Sequence, residues 1–330
     1  MGAVTKAAGS VGTKERERAQ AGARLESAEA REALKAKTTT ETIAEWMPLI
    51  VLPVAAMAMQ ARLARWEFMW VLAGAIYSGC KWETWFRARA ERARASFARS
   101  IGYLLLWPGM DAARFLEGER RGPRPSGRAW AGAAAKTACG ILIVTLIARR
   151  APGTNGLFAG WAGMIGLVIA LHFGAFHLLA LAWQRAGINA ATIMRSPLRP
   201  GSLSEFWGKR WNMGFRQLSH RLVYEPARAR WGSGAAVMAA FAASGIVHDA
   251  VISIPAGAGY GLPTAYFLLQ GAGVLFERSA AGARLGIRTG IRGWLFALVC
   301  TAAPAYWLFH PAFVTRVMLP FFATLGGLAR

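Results

Sequence analysis

The chain has 330 residues, of which 55% are hydrophobic and 17% charged, and 39 Lys and Arg against 17 Asp and Glu give a formal net charge of +22. This apolar composition excludes an ordinary soluble protein and also disordered, collagen-like and disulfide-rich classes. The charge does not indicate nucleic-acid binding, because 48 of the 56 charged side chains lie in residues 1–230, in clusters between long uncharged runs. Such a distribution is typical of a multi-pass membrane protein with basic loops.

Residues 1–45 form a charged N-terminal tail with eight basic and seven acidic side chains and almost no large apolar ones. A signal peptide needs an apolar core, and this segment has none. We therefore expect a solvated helix or a disordered tail, followed by a single membrane domain over residues 46–330.

Apolar windows with at most one charged residue, close to the ~20 residues that a helix needs to cross a bilayer, predict about eight spans. In chain order they are Trp46–Ala61, Phe68–Cys80, 129–148, Leu157–Trp183, Ser233–Ile254, Leu262–Phe276, Gly293–Phe309 and Ala312–Ala329. The predicted fold class is therefore all-α, a multi-pass transmembrane helical bundle. Cys80, Cys139 and Cys300 are far apart and lie in or beside these runs, which predicts small buried side chains instead of disulfides or zinc ligands.

Loop charge predicts the orientation of the spans. The loops Lys81–Arg128 and Arg185–Arg230 are strongly basic, and four arginines crowd the short loop Arg278–Arg292. Basic loops face the cytoplasm, so these three are predicted to lie inside. The steep excess of Arg over Lys and the abundance of Ala favour a bacterial protein of the cytoplasmic membrane.

Residues 200–226 are predicted to form one amphipathic helix in a basic loop. Ser202 and Glu205 have the spacing of a capping box, and the segment Tyr224–Pro226 is expected to end the helix. One face is apolar, with Trp207, Trp211, Phe215, Leu218 and Leu222. Polar residues form two flanking stripes, of Asn212, Arg216 and Ser219 and of Arg210, Gln217 and Arg221. On pattern alone, a basic helix resting on a membrane surface is the favoured interpretation.

His248 lies in a span of otherwise small or apolar side chains and is followed by Asp249. Ionisable groups at membrane depth usually face a cavity or a partner, which predicts a functional site. The alternative is a histidine that makes one helix hydrogen bond, for which Ser244 is available one turn earlier. His172 and His177 have no adjacent acid, and their separation of five residues does not suit one helix face, so we expect no function for them.

Three motifs in the second half of the chain resemble, in order and spacing, the signature of the membrane-bound O-acyltransferase family, particularly its wax-synthase-like branch. They are Glu205-Phe-Trp-Gly-Lys-Arg-Trp-Asn212, Val223-Tyr-Glu-Pro226 and, from Phe241 to Asp249, F-x-x-S-G-x-x-H-D. The tail Trp307–Pro311 is similar to the terminal segment of that branch. The resemblance is strong over residues 200–278 and weaker to about residue 320, and the N-terminal half matches only in hydropathy.

This resemblance implies that residues 46–330 are a membrane-bound O-acyltransferase domain with its core motifs in residues 200–278 and a central acyl-transfer tunnel. It implies transfer of a fatty acyl group from acyl-CoA, a co-substrate, to the hydroxyl of a lipid alcohol, with no cofactor and no metal. His248 matches the general base of the family, and Asn212 matches a residue close to the reacting carbonyl. Many relatives have Glu after the histidine, where this chain has the shorter Asp249.

The residues suit this chemistry on independent grounds. A neutral imidazole accepts the proton of an alcohol as the alcohol attacks a thioester, and an amide such as that of Asn212 donates a hydrogen bond to the oxygen that becomes negative. Lys209, Arg210, Arg216 and Arg221 are candidates for the phosphates of CoA or, equally, for lipid headgroups. A supporting role is expected for four further residues: Trp207, Trp211, Ser244 and Asp249.

The acceptor stays open at the level of sequence. A sterol, glyceride, polyketide or sugar, with acetyl-CoA as a possible donor, is compatible with the same motifs. The alternative outside enzymes is a proton-coupled transporter in which His248 and Asp249 relay protons. The expected partners are acyl-CoA, a hydroxyl-bearing lipid or small molecule and membrane lipids, with no nucleic acid, and the sequence does not determine the oligomeric state.

Overall fold

The protein was analysed as a computed structural model that describes residues 39–117, 124–150 and 156–328. The predicted tail up to residue 38 and most of the loop from Arg149 to Gly156 lie outside the described residues. All regular secondary structure in the described part of the chain is helical. The predicted all-α class is therefore confirmed.

The first half of the chain consists of long apolar helices joined by short amphipathic ones. They are α1 (Thr39–Ala58), α2 (Arg65–Arg87), α3 (Arg89–Arg94), α4 (Phe97–Leu106), α5 (Ala112–Leu116), α6 (Gly127–Arg150), α7 (Gly156–Val168) and α8 (Phe176–Arg185). The π-helical segment π1 (Ile169–Ala175) joins α7 to α8 without a break, so that Gly156–Arg185 is one rod.

The second half contains the motif residues and has three further π-helical segments. Its elements are α9 (Leu203–Glu205), π2 (Phe206–Arg210), α10 (Met213–Ser219), π3 (His220–Tyr224), α11 (Glu225–Ala256), α12 (Leu262–Arg278), α13 (Ala280–Arg284), α14 (Gly290–Ala302), α15 (Ala305–Leu308), α16 (Pro311–Phe313), π4 (Val314–Met318) and α17 (Leu319–Leu328). Frequent π-segments are notable because isolated π-turns occur preferentially at functional sites.

Five helices in the described part of the chain are long and apolar enough to cross a membrane, as expected for an integral, multi-pass helical membrane protein. They are Thr40–Ala58, Gly127–Ile147, Gly156–Arg185, Met213–Ala256 and Gly290–Leu308, which coincide with five of the eight predicted spans. The windows at 68–80 and 262–276 are helical in α2 and α12, neither of which is among these five, and the last window is a shorter apolar helix, Pro311–Gly326. A total of eight spans stays a prediction.

The chain divides into two compact units, Met1–Met47 and Pro48–Arg330. Of the first unit the structure describes the beginning of α1. The second unit contains every other element, and its largest apolar core joins α2, α7, α11, α12 and the C-terminal helices.

Helices α6 and π1 pack closely because small residues line their interface. A Cβ atom on Gly174 of π1 would lie 2.7 Å from the Cα atom of Thr137 in α6. A Cβ atom on Gly140 would likewise collide with the backbone of Ala170. Small residues allow such backbone contact between apolar helices, and here they hold π1 against α6.

The predicted burial of the cysteines is correct for one of three. Cys80 is buried, Cys300 is partly exposed and Cys139 is exposed, and all three thiols are free. Cys139 is exposed on α6. This position is compatible with a membrane helix, because a small apolar side chain can contact lipid as well as a protein core.

Candidate active site

The motif segment begins at a doubly capped helix end. The Ser202 hydroxyl accepts the Glu205 N–H at 3.1 Å, as the capping box predicts, while the Glu205 carboxylate accepts the N–H of Gly201 at 2.5 Å. The Gly201 N–H and the nearby Arg210 guanidinium hold the pKa of Glu205 below its ordinary value. A second carboxylate, the buried Glu277 of α12, accepts the N–H of Leu203 at 2.6 Å. Both caps fix the direction in which the motif residues leave α9.

The prediction of one continuous helix over the motif is wrong. The chain breaks at Asn212, which adopts a left-handed conformation with φ 41° and ψ 61°. At this break the N–H of Arg195 donates to the Arg210 carbonyl, and the N–H of Met213 donates to the Ile193 carbonyl. Residues 200–226, called the strap below, are therefore bent at Asn212 and hydrogen-bonded to the loop before them. Asparagine suits the bend because it tolerates left-handed backbone better than most residues.

The expected helix end at Tyr224–Pro226 is also wrong. Pro226 lies in the first turn of α11, directly after π3, and helical backbone continues from Met213 past Tyr224 instead of ending there. The helical backbone instead kinks at Gly232, whose φ of 79° only glycine adopts readily. Asn212 therefore precedes the first of two helical segments and His248 lies in the second, with the kink at Gly232 between them.

His248 is oriented by its own helix. Its Nδ1 atom lies 2.7 Å from the carbonyl oxygen of Ser244, one turn earlier. A carbonyl oxygen only accepts hydrogen bonds, so Nδ1 carries the hydrogen and Nε2 of the neutral imidazole carries the free lone pair. Ser244 thus supports His248 through its backbone, and a basic nitrogen is left for a substrate.

Aromatic rings surround the imidazole. The ring of Phe267 lies 4.4 Å from that of His248, centroid to centroid. Trp207 contacts both Phe241 and Phe267, and its Nε1 donates to the buried Gln270 side chain at 3.2 Å. Trp211 stacks on Phe206 with centroids 5.5 Å apart. Trp207 and Trp211 therefore belong to the site, whereas the role of Gln270 could not be read from the sequence because its partner is 63 residues away.

Two cavities meet at His248. The larger has a volume of about 1280 Å³ and is lined mainly by apolar side chains of α2, α7, π1 and α11. The smaller, of about 330 Å³, is lined by the motif residues Trp207, Trp211, Asn212 and Arg216 and by Ser244. Of the described residues only His248 lines both cavities. A ligand in either cavity can therefore reach the same imidazole.

The four basic motif residues have different surroundings. Arg210 binds Glu205 at 2.8 Å and the carbonyl of Ser196, and Arg221 binds the buried Glu83 at 2.5 Å. Both arginines thus hold the strap and its neighbouring loop in place. Lys209 and Arg216 are exposed, and Arg216 lines the smaller cavity.

Asp249 faces the start of α12. Its carboxylate accepts the N–H of Gly261 at 2.9 Å and the hydroxyl of Thr264 at 2.6 Å. These contacts cap α12, the helix that carries Phe267, and they couple Asp249 to the position of that ring instead of to His248 directly.

The structure also defines the surroundings of three further histidines. His172 and His177 both line the larger cavity, contrary to expectation, because π1 changes the helical period between them. His310 is buried, and its Nδ1 caps α16 by accepting the N–H of Phe313. Among the described residues no group of three or more His, Cys, Asp or Glu is placed to hold a metal ion.

One stretch of the chain, which contains both Asn212 and His248, matches a known family. A sequence profile described as "Membrane bound O-acyl transferase family" matches residues 190–269, which include Asn212 and His248. The resemblance predicted from the motifs is thereby confirmed for this part of the chain.

Two plant enzymes are similar to the chain beyond the motifs. The probable long-chain-alcohol O-fatty-acyltransferase 7 of Arabidopsis thaliana is 30% identical over 144 residues, which cover 39% of this chain and 41% of that protein. The long-chain-alcohol O-fatty-acyltransferase of Simmondsia chinensis is 27% identical over 149 residues, 41% of each. The chain spans about two fifths of the length of these curated relatives.

Proposed function

We propose that the protein is an acyl-CoA-dependent O-acyltransferase that transfers a fatty acyl group to the hydroxyl of a lipid alcohol. The observation that carries the proposal is the position of His248, whose imidazole lies where the two cavities meet and whose Nδ1 is committed to Ser244. The names of the two relatives support a long-chain alcohol as the acceptor.

In the proposed reaction, Nε2 of His248 accepts the proton of the alcohol as its oxygen attacks the thioester carbonyl. The Asn212 amide donates a hydrogen bond to the negative oxygen of the tetrahedral intermediate. The C–S bond then breaks, and the proton on His248 passes to the departing thiolate to give free CoA. Every proton in this sequence is handled by one imidazole, and no covalent enzyme intermediate forms.

The cavities suit different substrates. The smaller one contains Asn212 and Arg216, with Lys209 exposed on the same strap, and is assigned to the CoA end of the donor. The larger one is predominantly apolar and is assigned to the chain of the alcohol. With the strap in a basic loop, the donor would enter from the cytoplasmic face.

Purified protein with radiolabelled hexadecanoyl-CoA and hexadecanol should form the wax ester, and His248→Ala should remove turnover. His310→Asn is the matched control, because His310 lines neither cavity and asparagine retains the capping acceptor. Thermal unfolding in detergent checks that both variants are folded. Turnover by a folded His248→Ala protein contradicts the assignment of the base, and proton flux in liposomes without consumption of acyl-CoA would favour the transporter instead.

A further inference from the structure

Three basic side chains from apolar helices line the larger cavity, Lys136, His172 and His177, and the loop 192–199 adds Arg195 and Arg199 to its wall. Lys136 lies within Gly127–Ile147, and both histidines lie within Gly156–Arg185. An ionisable group in such a helix is unfavourable unless it meets a partner or water. Among the described residues that line this cavity there is no Asp or Glu. The protein therefore supplies no counter-ion on the cavity wall.

The π-helical segment explains how the two histidines reach one cavity. In an α-helix, residues five apart point in different directions, whereas the i→i+5 hydrogen bonds of a π-helix place them one turn apart. His172 lies within π1 and His177 just after it, and both line the larger cavity. The π-helical segment therefore brings both histidines to the cavity wall, whereas a continuous α-helix would direct them apart.

Lys136 lies beside the close contact of α6 with π1. Thr137, its neighbour in the chain, packs against Gly174 of π1, three residues before His177. The Nδ1 atom of His172 is buried and has no hydrogen-bond partner within the described residues. An unsatisfied polar atom of this kind calls for an explanation, of which a missing ligand is one.

We propose that Lys136, His172 and His177 bind the carboxylate of a long-chain hydroxy acid whose hydroxyl group reaches His248. This inference rests on the proposed O-acyltransfer and names its acceptor class. One ammonium and two imidazoles supply donors for both oxygens of a carboxylate. These three residues and His248 line one cavity, and most of its other lining side chains are apolar, which suits the chain of the acid. The product is an acyloxy acid, formed by the same C–O bond formation and C–S cleavage as a wax ester.

The kinetic test compares ω-hydroxyhexadecanoate with hexadecanol, which has the same chain length and no carboxylate. The wild-type protein should prefer the hydroxy acid by at least about tenfold in kcat/KM, as expected for a hydrogen bond to a charged group. Lys136→Met should lower this ratio to near one through a loss of kcat/KM for the hydroxy acid that exceeds any change for hexadecanol. Cys139→Ala, an exposed position on the same helix that does not line the cavity, is the matched control and should keep the wild-type ratio.

A binding test separates this inference from the proposed function. Hexadecanoate has the carboxylate but no hydroxyl, so it should bind without being turned over. Its binding should raise the Tm of the His248→Ala protein, and Lys136→Met in that background should remove the shift. Equal turnover of both acceptors, with no Lys136-dependent shift, would overturn the carboxylate site and leave the acyltransferase standing. Loss of turnover with every acceptor would overturn the proposed function itself. If Lys136→Met raises the KM for acyl-CoA instead, the cluster binds the donor and the inference is wrong.

Discussion

The buried carboxylate of Glu277 accepts the backbone N–H of Leu203 across 74 residues of sequence, at 2.6 Å. It also accepts the N–H of Ser204, so one side chain of α12 caps the segment that leads into the motif. Glu277→Ala leaves these N–H groups unsatisfied and should destabilise the protein by about 1–3 kcal/mol. Glu277→Gln retains one acceptor oxygen and should recover most of this loss. Thermal unfolding in detergent measures both, and equal stability of Glu277→Ala and wild type would refute the capping role.

Asn212 combines a left-handed backbone with the amide assigned to the oxyanion. Glycine adopts this backbone without strain, whereas alanine does not. Asn212→Gly should therefore remain as stable as the wild type while its kcat falls about 100-fold or more. Asn212→Ala should show the same fall in kcat together with a lower Tm. An active Asn212→Gly protein would mean that asparagine is needed there for the backbone alone.

Asp249 is predicted to act through the position of α12. Thr264→Val removes its hydroxyl contact and should lower stability by about 1 kcal/mol with little change in kcat. Asp249→Asn retains an acceptor oxygen for Gly261 and should behave similarly. The two variants are compared by unfolding and by single-turnover acyl transfer. If the folded Asp249→Asn protein has no activity, the carboxylate orients His248 after all.

The exposed and the paired arginines of the strap should respond differently to mutation. Arg216→Ala should raise the KM for acyl-CoA severalfold and leave the Tm unchanged, because Arg216 is exposed on the wall of the smaller cavity. Arg210→Ala removes the ion pair to Glu205 and the tie to Ser196, so it should lower the Tm. Steady-state kinetics with varied acyl-CoA separate the two. An unchanged KM in Arg216→Ala would assign this side chain to lipid headgroups.

Lys81 should make stability depend on pH. Its amino group is buried above the Tyr103 ring and donates to the Gly109 carbonyl at 2.7 Å, and burial lowers its pKa to about 6. Between pH 6 and its ordinary pKa of 10.5, the unfolded chain binds more protons than the folded one, so stability rises with pH. Unfolding scans at pH 6.5 and 9 should show this rise, and Lys81→Met should reduce it. An equal slope in the variant would show that the amine stays protonated when folded.

Much of the protein follows from local sequence. The apolar windows predict the helices, and Ser202 and Glu205 predict the start of the motif segment, because hydropathy and capping depend on residues a few positions apart. His248 is recognisable for the same reason, as an ionisable group in an apolar run.

Only the tertiary structure decides which side chains meet. It breaks the strap at Asn212, directs Asp249 to α12 and turns His177 into the cavity of His172, and each of these depends on backbone geometry or on contacts distant in sequence. Periodicity alone assumes one helical pitch, so a π-turn or a left-handed residue shifts every face that follows it. The sequence by itself therefore determined the all-α, multi-pass class of the protein and singled out His248 as a candidate. The junction of two cavities at that histidine is a property of the packed helices.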